Sequence, residues 1–286
     1  MPVKNMLADM AEEITEWRRT LHQNPQTGFD VQFAHDFIVG KLREWGVSYE
    51  DGWAKTGIVA TIPGRSDRSG RAIALRADMD ALDMEEVEGR EWRSQNPGKM
   101  HACGHDGHMA MLLGAIKYMH ENNNFDGTVH CIFQPAEEGD GGALVMLDEG
   151  LFEKHPVESV YGMHNWPGLP KGEIAVHNGP VMASVDEFEI TVKGQGGHAA
   201  MPHLTRDPVT AAAQIVANVN QFLARRIDPM DHVVISFTNF NAGTGAFNVI
   251  ADAAFLNGTV RCFNSETRAM VQEEFQNIVH NTARSF

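Results

Sequence analysis

Thr128-Val-His-Cys-Ile-Phe133, then Gln134-Pro-Ala-Glu-Glu-Gly-Asp-Gly-Gly142, then Ala143-Leu-Val-Met-Leu-Asp-Glu149 is the stretch from which the fold can be read. The first part is a short apolar, β-branched run and predicts a buried strand. A proline, glycines and acids then break the chain, and helical spacing of apolar residues resumes over Gly142 to Glu149. Similar units lie on either side. Strands are expected over Gly57 to Ile62 and Ala72 to Leu75, a helix over Met109 to His120, and a further strand over Ser159 to Met163. Two helices come first, from Ala8 to Leu21, stopping near Asn24-Pro25, and from Gln32 to Trp45. This alternation predicts an α/β fold, a sheet with helices packed on it.

The pattern changes after about Val181. Glu187 to Lys193 alternates as a strand, Pro208 to Arg226 reads as a long helix, and Val233 to Phe240 and Ala253 to Phe263 read as two more strands. A helix over Ser265 to Ser285 follows, with Ser265 expected as its N-cap. The order βαββα is that of a ferredoxin-like α+β unit without its last strand. The expected organisation is therefore a mixed-sheet domain with flanking helices over residues 1–182 and an incomplete ferredoxin-like domain over residues 183–286.

With 286 residues, 43% of them hydrophobic, the chain can bury a substantial core. No run reaches the roughly 18 to 20 apolar residues of a membrane span, and the opening segment is too acidic for a secretory leader, so a cytoplasmic location is expected. Cys103, Cys131 and Cys262 are odd in number and far apart, which favours reduced thiols. A net charge of -15 argues against nucleic acid or an anionic membrane as partner.

The densest chemical signal is His101-Ala-Cys103-Gly-His105-Asp106-Gly-His108, directly before the apolar helix expected from Met109. Thiolate and imidazole are the donors zinc prefers, and the glycines allow a tight turn that lets both face one ion. A lone Cys-x-His is as readily a buried thiol with surface histidines; the density of such residues here weighs against that. Glu137-Glu138 follows the Thr128–Phe133 strand, His164 follows the next one, and Asp78 and Asp80 follow the Ala72–Leu75 strand. In open α/β sheets ligands bind beyond the carboxyl ends of the strands, so these clusters converge on one edge. Adjacent carboxylates at a strand end are expected to point differently, one holding a metal and the other reaching its water. The count of donors gives Cys103, His105, Glu138 and His164 as metal ligands, Cys103 as a candidate bridge, Asp80 or Asp78 as an orienting acid, and Glu137 as base. Such a set suits amide or ester hydrolysis, whereas no P-loop supports phosphoryl transfer. Further along, His198 on a Gly-rich turn is either an ordinary turn histidine or a donor to a developing oxyanion. Asn248 and Arg261 are substrate-binding groups or merely turn and strand-surface residues.

Taken together, MHACGHDGHMAMLLGA, FQPAEEG, GMHNWPGLPKGEI and GGHAAMPH resemble the amidohydrolase branch of the aminoacylase and carboxypeptidase superfamily, which includes hippurate hydrolases, N-acetyldiaminopimelate deacetylases and plant auxin-conjugate hydrolases. The resemblance implies a catalytic domain followed by a lid and dimerisation domain. It implies two divalent metal ions, zinc first and manganese, cobalt or nickel as replacements, held by Cys103, His105, Glu138 and His164. Glu137 is then the general base, Asp80 an acid beside the site, and His198 a lid histidine that assists a partner's active site. Asn248 and Arg261 fall near lid positions that bind the substrate's carboxylate or oxyanion. The implied reaction is hydrolysis of the amide bond of a small N-acyl (N-acetyl or N-aroyl) amino acid by a homodimer or homotetramer. Dipeptide hydrolysis is an alternative that shares the chemistry. Relatives run further, so the chain is expected to lack a last lid strand and one more metal-binding histidine. A catalytically weak chain whose lid serves mainly in association is the other reading.

Overall fold

The computed structural model describes residues 5–286, so the first residues of the acidic opening segment lie outside the described part. The chain divides into two compact units, Met1–Lys171 and Gly172–Phe286.

The first unit runs α1 (Asn5–Asp9), α2 (Ala11–Gln23), α3 (Gln32–Trp45), β1 (Ser48–Trp53), β2 (Gly57–Pro63), β3 (Ala72–Asp78), α4 (His105–Glu121), β4 (Thr128–Gln134), α5 (Gly142–Asp148), α6 (Leu151–Lys154) and β5 (Val160–Gly162). Its sheet has the order β1-β2-β4-β3-β5. β2 is antiparallel to β1 and β4, whereas β3 is parallel to both β4 and β5. The sheet is thus mixed, as expected. Period-two alternation sorts its residues to two faces. Ile58, Ala60 and Ile62 of β2, with Val129, Cys131 and Phe133 of β4, join the core under α2, α3 and α4. Val59 and Ile132 turn the other way and pack with Met146 and Leu151 of α5 and α6. Every residue of β4 after Thr128 is buried, as a central strand requires.

The first unit differs from the sequence expectations in four places. α4 begins at His105 rather than near Met109, because Gly104 adopts the left-handed conformation (φ 91°) and starts the helix among the polar residues. The opening helix is two pieces, α1 and α2, meeting at Met10. β1 was not expected, since Ser48-Tyr-Glu-Asp-Gly-Trp53 is a polar edge strand that carries no apolar alternation. α6 likewise is too short to show a helical period.

The second unit consists of β6 (Ser184–Lys193), β7 (Gly197–His198), a single 3-10 turn, α7 (Pro208–Arg226), β8 (Val233–Ala242), β9 (Val249–Ile250), β10 (Ala253–Cys262) and α8 (Ser265–Arg284). Its main sheet has the order β6-β10-β8 with both pairings antiparallel, which is the ferredoxin-like arrangement of a βαββα run. Ile190, Ile235 and Leu256 face Ala212, Ile215, Val219 and Val271 of α7 and α8. The N-cap of α8 is Asn264, not Ser265. The Asn264 side chain accepts from the Glu266 N–H at 2.8 Å and the Thr267 N–H at 3.3 Å, while Ser265 is already helical. Among the described residues no helix is long and apolar enough to cross a membrane.

Candidate metal centre

β3, β4 and β5 are parallel and in register, Asp78 beside Gln134 and Arg76 beside Gly162. The segments that leave them therefore emerge at one edge of the sheet: Met79-Asp80, Pro135 to Glu138, and Met163 to Asn165. α4, the crossover between β3 and β4, begins at the same edge with His105 in its first turn.

Asp80 holds the acidic turn in place. Its buried carboxylate accepts the Glu137 N–H at 2.9 Å and the Glu138 N–H at 3.0 Å. Ala136, at φ 53°, provides the left-handed residue that bends the chain back to allow this. The two glutamates were expected to diverge. Instead both carboxylates approach the same ring, 3.8 Å (Glu137) and 3.7 Å (Glu138) from His105 Nε2, because one carboxylate pins both of their amides.

His105 is fully buried. Its Nδ1 lies 2.7 Å from the Asp80 carbonyl, which only accepts, so Nδ1 carries the proton. Nε2 is left as a buried nitrogen with no hydrogen-bond partner, and a third carboxylate, Asp78, stands 3.6 Å away. A lone pair enclosed by three carboxylates is stable only with a positive charge among them. Burial opposes protonation of His105, but the Asp80 hydrogen bond and the charges of Asp78, Asp80 and Glu137 outweigh it and raise its pKa. Burial, together with Glu138, pushes the Cys103 thiol up to about 12, so without a cation the sulfur stays protonated. Burial and the neighbouring Glu138 and Asp78 charges also hold the Glu137 carboxyl above its ordinary range, against the pull of His105.

Cys103 Sγ is 3.3 Å from His164 Nε2, and His164 Nδ1 donates to the Asn165 carbonyl at 2.7 Å. Among the described residues, three sets of donor atoms lie within 4.8 Å of one another: Cys103, His105 and His164; His105, Glu137 and Glu138; and Asp78, His105 and His108. Soft sulfur, imidazole and carboxylate donors around an unpaired nitrogen fit a divalent metal centre with His105 at its middle. Asp78 itself lies at about 2, since the His108 hydrogen bond and the nearby His105 and Arg76 charges overcome its burial.

The residues expected in the second unit divide differently. β7 pairs with β9, opposing His198 to Val249, and the Ala199 N–H donates to the Asn248 carbonyl at 2.9 Å, so His198 and Asn248 are neighbours on an exposed corner. His198 Nδ1 accepts the Ala200 N–H at 3.2 Å, which leaves the proton on Nε2. Arg261 is not with them. Asp252, at the start of β10, carries that corner, whereas Arg261 is near the other end of the strand, roughly 25 Å along at the usual rise. Sequence reasoning passed over Arg76, which bonds Asp78 and Gln134 at 2.7 Å each, and a buried network in which His22 joins Asp106 at 2.8 Å and Glu86 at 3.1 Å. The i, i+3 spacing of His105 and His108 was the visible sign that both lie on one helical face.

Residues 74–276 match the profile of "Peptidase family M20/M25/M40". A hippurate hydrolase of Campylobacter jejuni is 38% identical over 98% of this chain and 72% of its own length. An N-acetylcysteine deacetylase of Bacillus subtilis is 40% identical over 98% of this chain and 73% of its own. The crystal structure of a Bacillus subtilis dinuclear metal-binding peptidase of the M20 family superimposes with a TM-score of 0.78 at 37% identity, covering 98% of this chain and 72% of that one.

Proposed function

The chain belongs to peptidase family M20/M25/M40, and on that premise we propose that it hydrolyses the amide bond of N-acyl amino acids at the carboxyl edge of its first sheet. The observation that carries this reading is the buried, unpartnered Nε2 of His105 facing Glu137, Glu138 and Asp78.

Cys103, His105, Glu138 and His164 would hold a pair of divalent ions, with zinc favoured by the thiolate and imidazoles and manganese, cobalt or nickel able to substitute. When bound, such ions polarise a carbonyl and make water more acidic. Glu137 takes the proton of the attacking water and returns it to the leaving amine. Burial holds its carboxyl above the ordinary range, and it is half open to a ligand, as a general base needs. Asp80 keeps Glu137 and Glu138 aimed at His105 by holding their backbone amides. His198 is proposed as donor to the developing oxyanion, since its tautomer is set and its ring is open to a ligand. Asn248 and Arg261, which lie at opposite ends of the second unit's strands, are proposed as separate groups that bind the substrate's carboxylate or oxyanion. β8, an edge strand exposed along most of its length, supports pairing of two copies into a homodimer.

Elemental analysis of the purified chain, beside hydrolysis of hippurate and N-acetyl amino acids with added zinc or manganese, is the test. Bound metal with release of free amino acid supports the proposal. Neither metal nor turnover would overturn it.

A further inference from the structure

His108 sits one helical turn after His105 and is 3% exposed. By residue type and by its distance from Asp78 and His105 it belongs among the candidate metal donors. Its hydrogen bonds say otherwise. The Asn165 N–H, which can only donate, lies 3.1 Å from His108 Nε2, so that nitrogen's lone pair is already used. The ring proton is then on Nδ1, 2.6 Å from Asp78 Oδ1, and Asp78 is held from its other side by Arg76 at 2.7 Å. Neither imidazole nitrogen of His108 is left for a metal.

Asn165 is where this chain of bonds ends. Its N–H is fixed by His108, and its carbonyl accepts from Nδ1 of His164 at 2.7 Å. That bond leaves the His164 Nε2 lone pair directed toward Cys103 Sγ, 3.3 Å away. The His108 and His164 rings also meet edge to face with centroids 4.7 Å apart. A Cβ on Gly104 would overlap the Asn165 side chain, so glycine there lets the loop after β5 close onto the start of α4. Two candidate ligands from distant parts of the sequence, Cys103 and His164, are brought together by this closure.

We propose that His108 is a positioning residue and not a metal donor: the series Arg76, Asp78, His108, Asn165 orients the His164 imidazole and sets its tautomer so that Nε2 faces the metal. The proposal rests on the reading that Cys103, His105 and His164 hold a metal. Groups that orient a ligand in this way usually contribute about 10- to 100-fold to metal affinity without changing how many ions bind.

The test is titration of metal-free protein with cobalt(II), followed through the thiolate charge-transfer absorption, with stoichiometry from elemental analysis. His108→Leu removes both hydrogen bonds, and His108→Gln keeps an acceptor for the Asn165 N–H. The expected result is about 10- to 100-fold weaker cobalt binding by His108→Leu at unchanged stoichiometry and saturating absorption, with most of the loss recovered in His108→Gln. Loss of an ion at saturation in both variants would make His108 a ligand and overturn the proposal. Wild-type affinity in His108→Leu would reduce it to packing and overturn it equally. Circular dichroism reports folding. Should His108→Leu not fold, His108→Asn, which reaches Asp78 but not Asn165, replaces it with the same expected weakening relative to His108→Gln. A wild-type protein that binds no cobalt sinks the metal reading and this one together, whereas unaltered binding by the variants sinks only this one.

Discussion

The carboxyl edge of the first sheet and the exposed corner of the second unit both gather histidine and polar side chains, but under opposite conditions. At the sheet edge, Asp78, Asp80, His105 and His108 are each at most 3% exposed, and their hydrogen bonds do not close: one nitrogen and several carboxylate oxygens face one another. At the corner, His198 and Asn248 are exposed, and His198 Nδ1 and the Asn248 carbonyl each accept a neighbouring backbone N–H. A buried polar set that is not self-sufficient implies something more in the site, because an unpaired charge in low dielectric is costly. An exposed set implies nothing by itself, and its role depends on what comes to it.

Five substitutions, one of them followed through pH, test this contrast, beginning with the largest effect. Glu137→Gln should lower kcat about 10²- to 10⁴-fold while metal content stays at the wild-type level, as expected for loss of a general base. Turnover near wild type would remove Glu137 from the mechanism. His198→Ala should lower kcat about 10²- to 10³-fold with little change in metal content, if the exposed corner supplies an oxyanion donor. An unchanged kcat would leave all the chemistry at the buried edge. Asp80→Asn can no longer accept both the Glu137 and Glu138 amides, and metal affinity measured by competition with a chelator should fall about 10- to 100-fold.

Next comes the buried His22 network beneath α4. His22 has its pKa raised, chiefly by the hydrogen bond to Asp106, with burial opposing and Glu86 assisting; Arg18 also faces Asp106, and His101, driven down to about 4 by its burial, lies alongside. A raised folded-state pKa stabilises fully below the unfolded value of 6.5, and that contribution is lost as pH rises through the folded value. Thermal unfolding monitored from pH 6 upward should show a decline that His22→Gln flattens; parallel curves would exclude His22 as its source. The smallest effect on turnover is expected from Arg261→Ala, which should raise KM about tenfold and leave kcat nearly unchanged, as loss of a group that binds the substrate's carboxylate does; an unchanged KM would remove the half-buried Arg261 from the site.

Much of this was legible in the chain itself. Apolar runs bounded by glycine and proline located β2, β3 and β4, and the change of pattern after Val181 marked where the strands of the βαββα unit begin, whereas the compact units divide earlier, between Lys171 and Gly172. Elements without that signal were not visible: β1 is polar because it lies at an edge, and β7 and β9 are two residues each. Cys103, His105, Glu137, Glu138 and His164 stood out because soft and acidic donors at strand ends are an uncommon combination, and residue type alone limits what each can donate or accept. How those groups were arranged was not legible. The convergence of Glu137 and Glu138 on His105 depends on Asp80, more than fifty positions earlier, accepting two amides, and the engagement of His108 depends on a backbone N–H supplied after β5. The separation of Arg261 from His198 follows from the direction of β10. Composition and local period determine which elements form and which chemistry is available, because they depend on neighbours in the chain. Which lone pairs remain free for a metal was decided only by tertiary structure, because hydrogen bonds between distant segments settle each imidazole's tautomer and each carboxylate's partner.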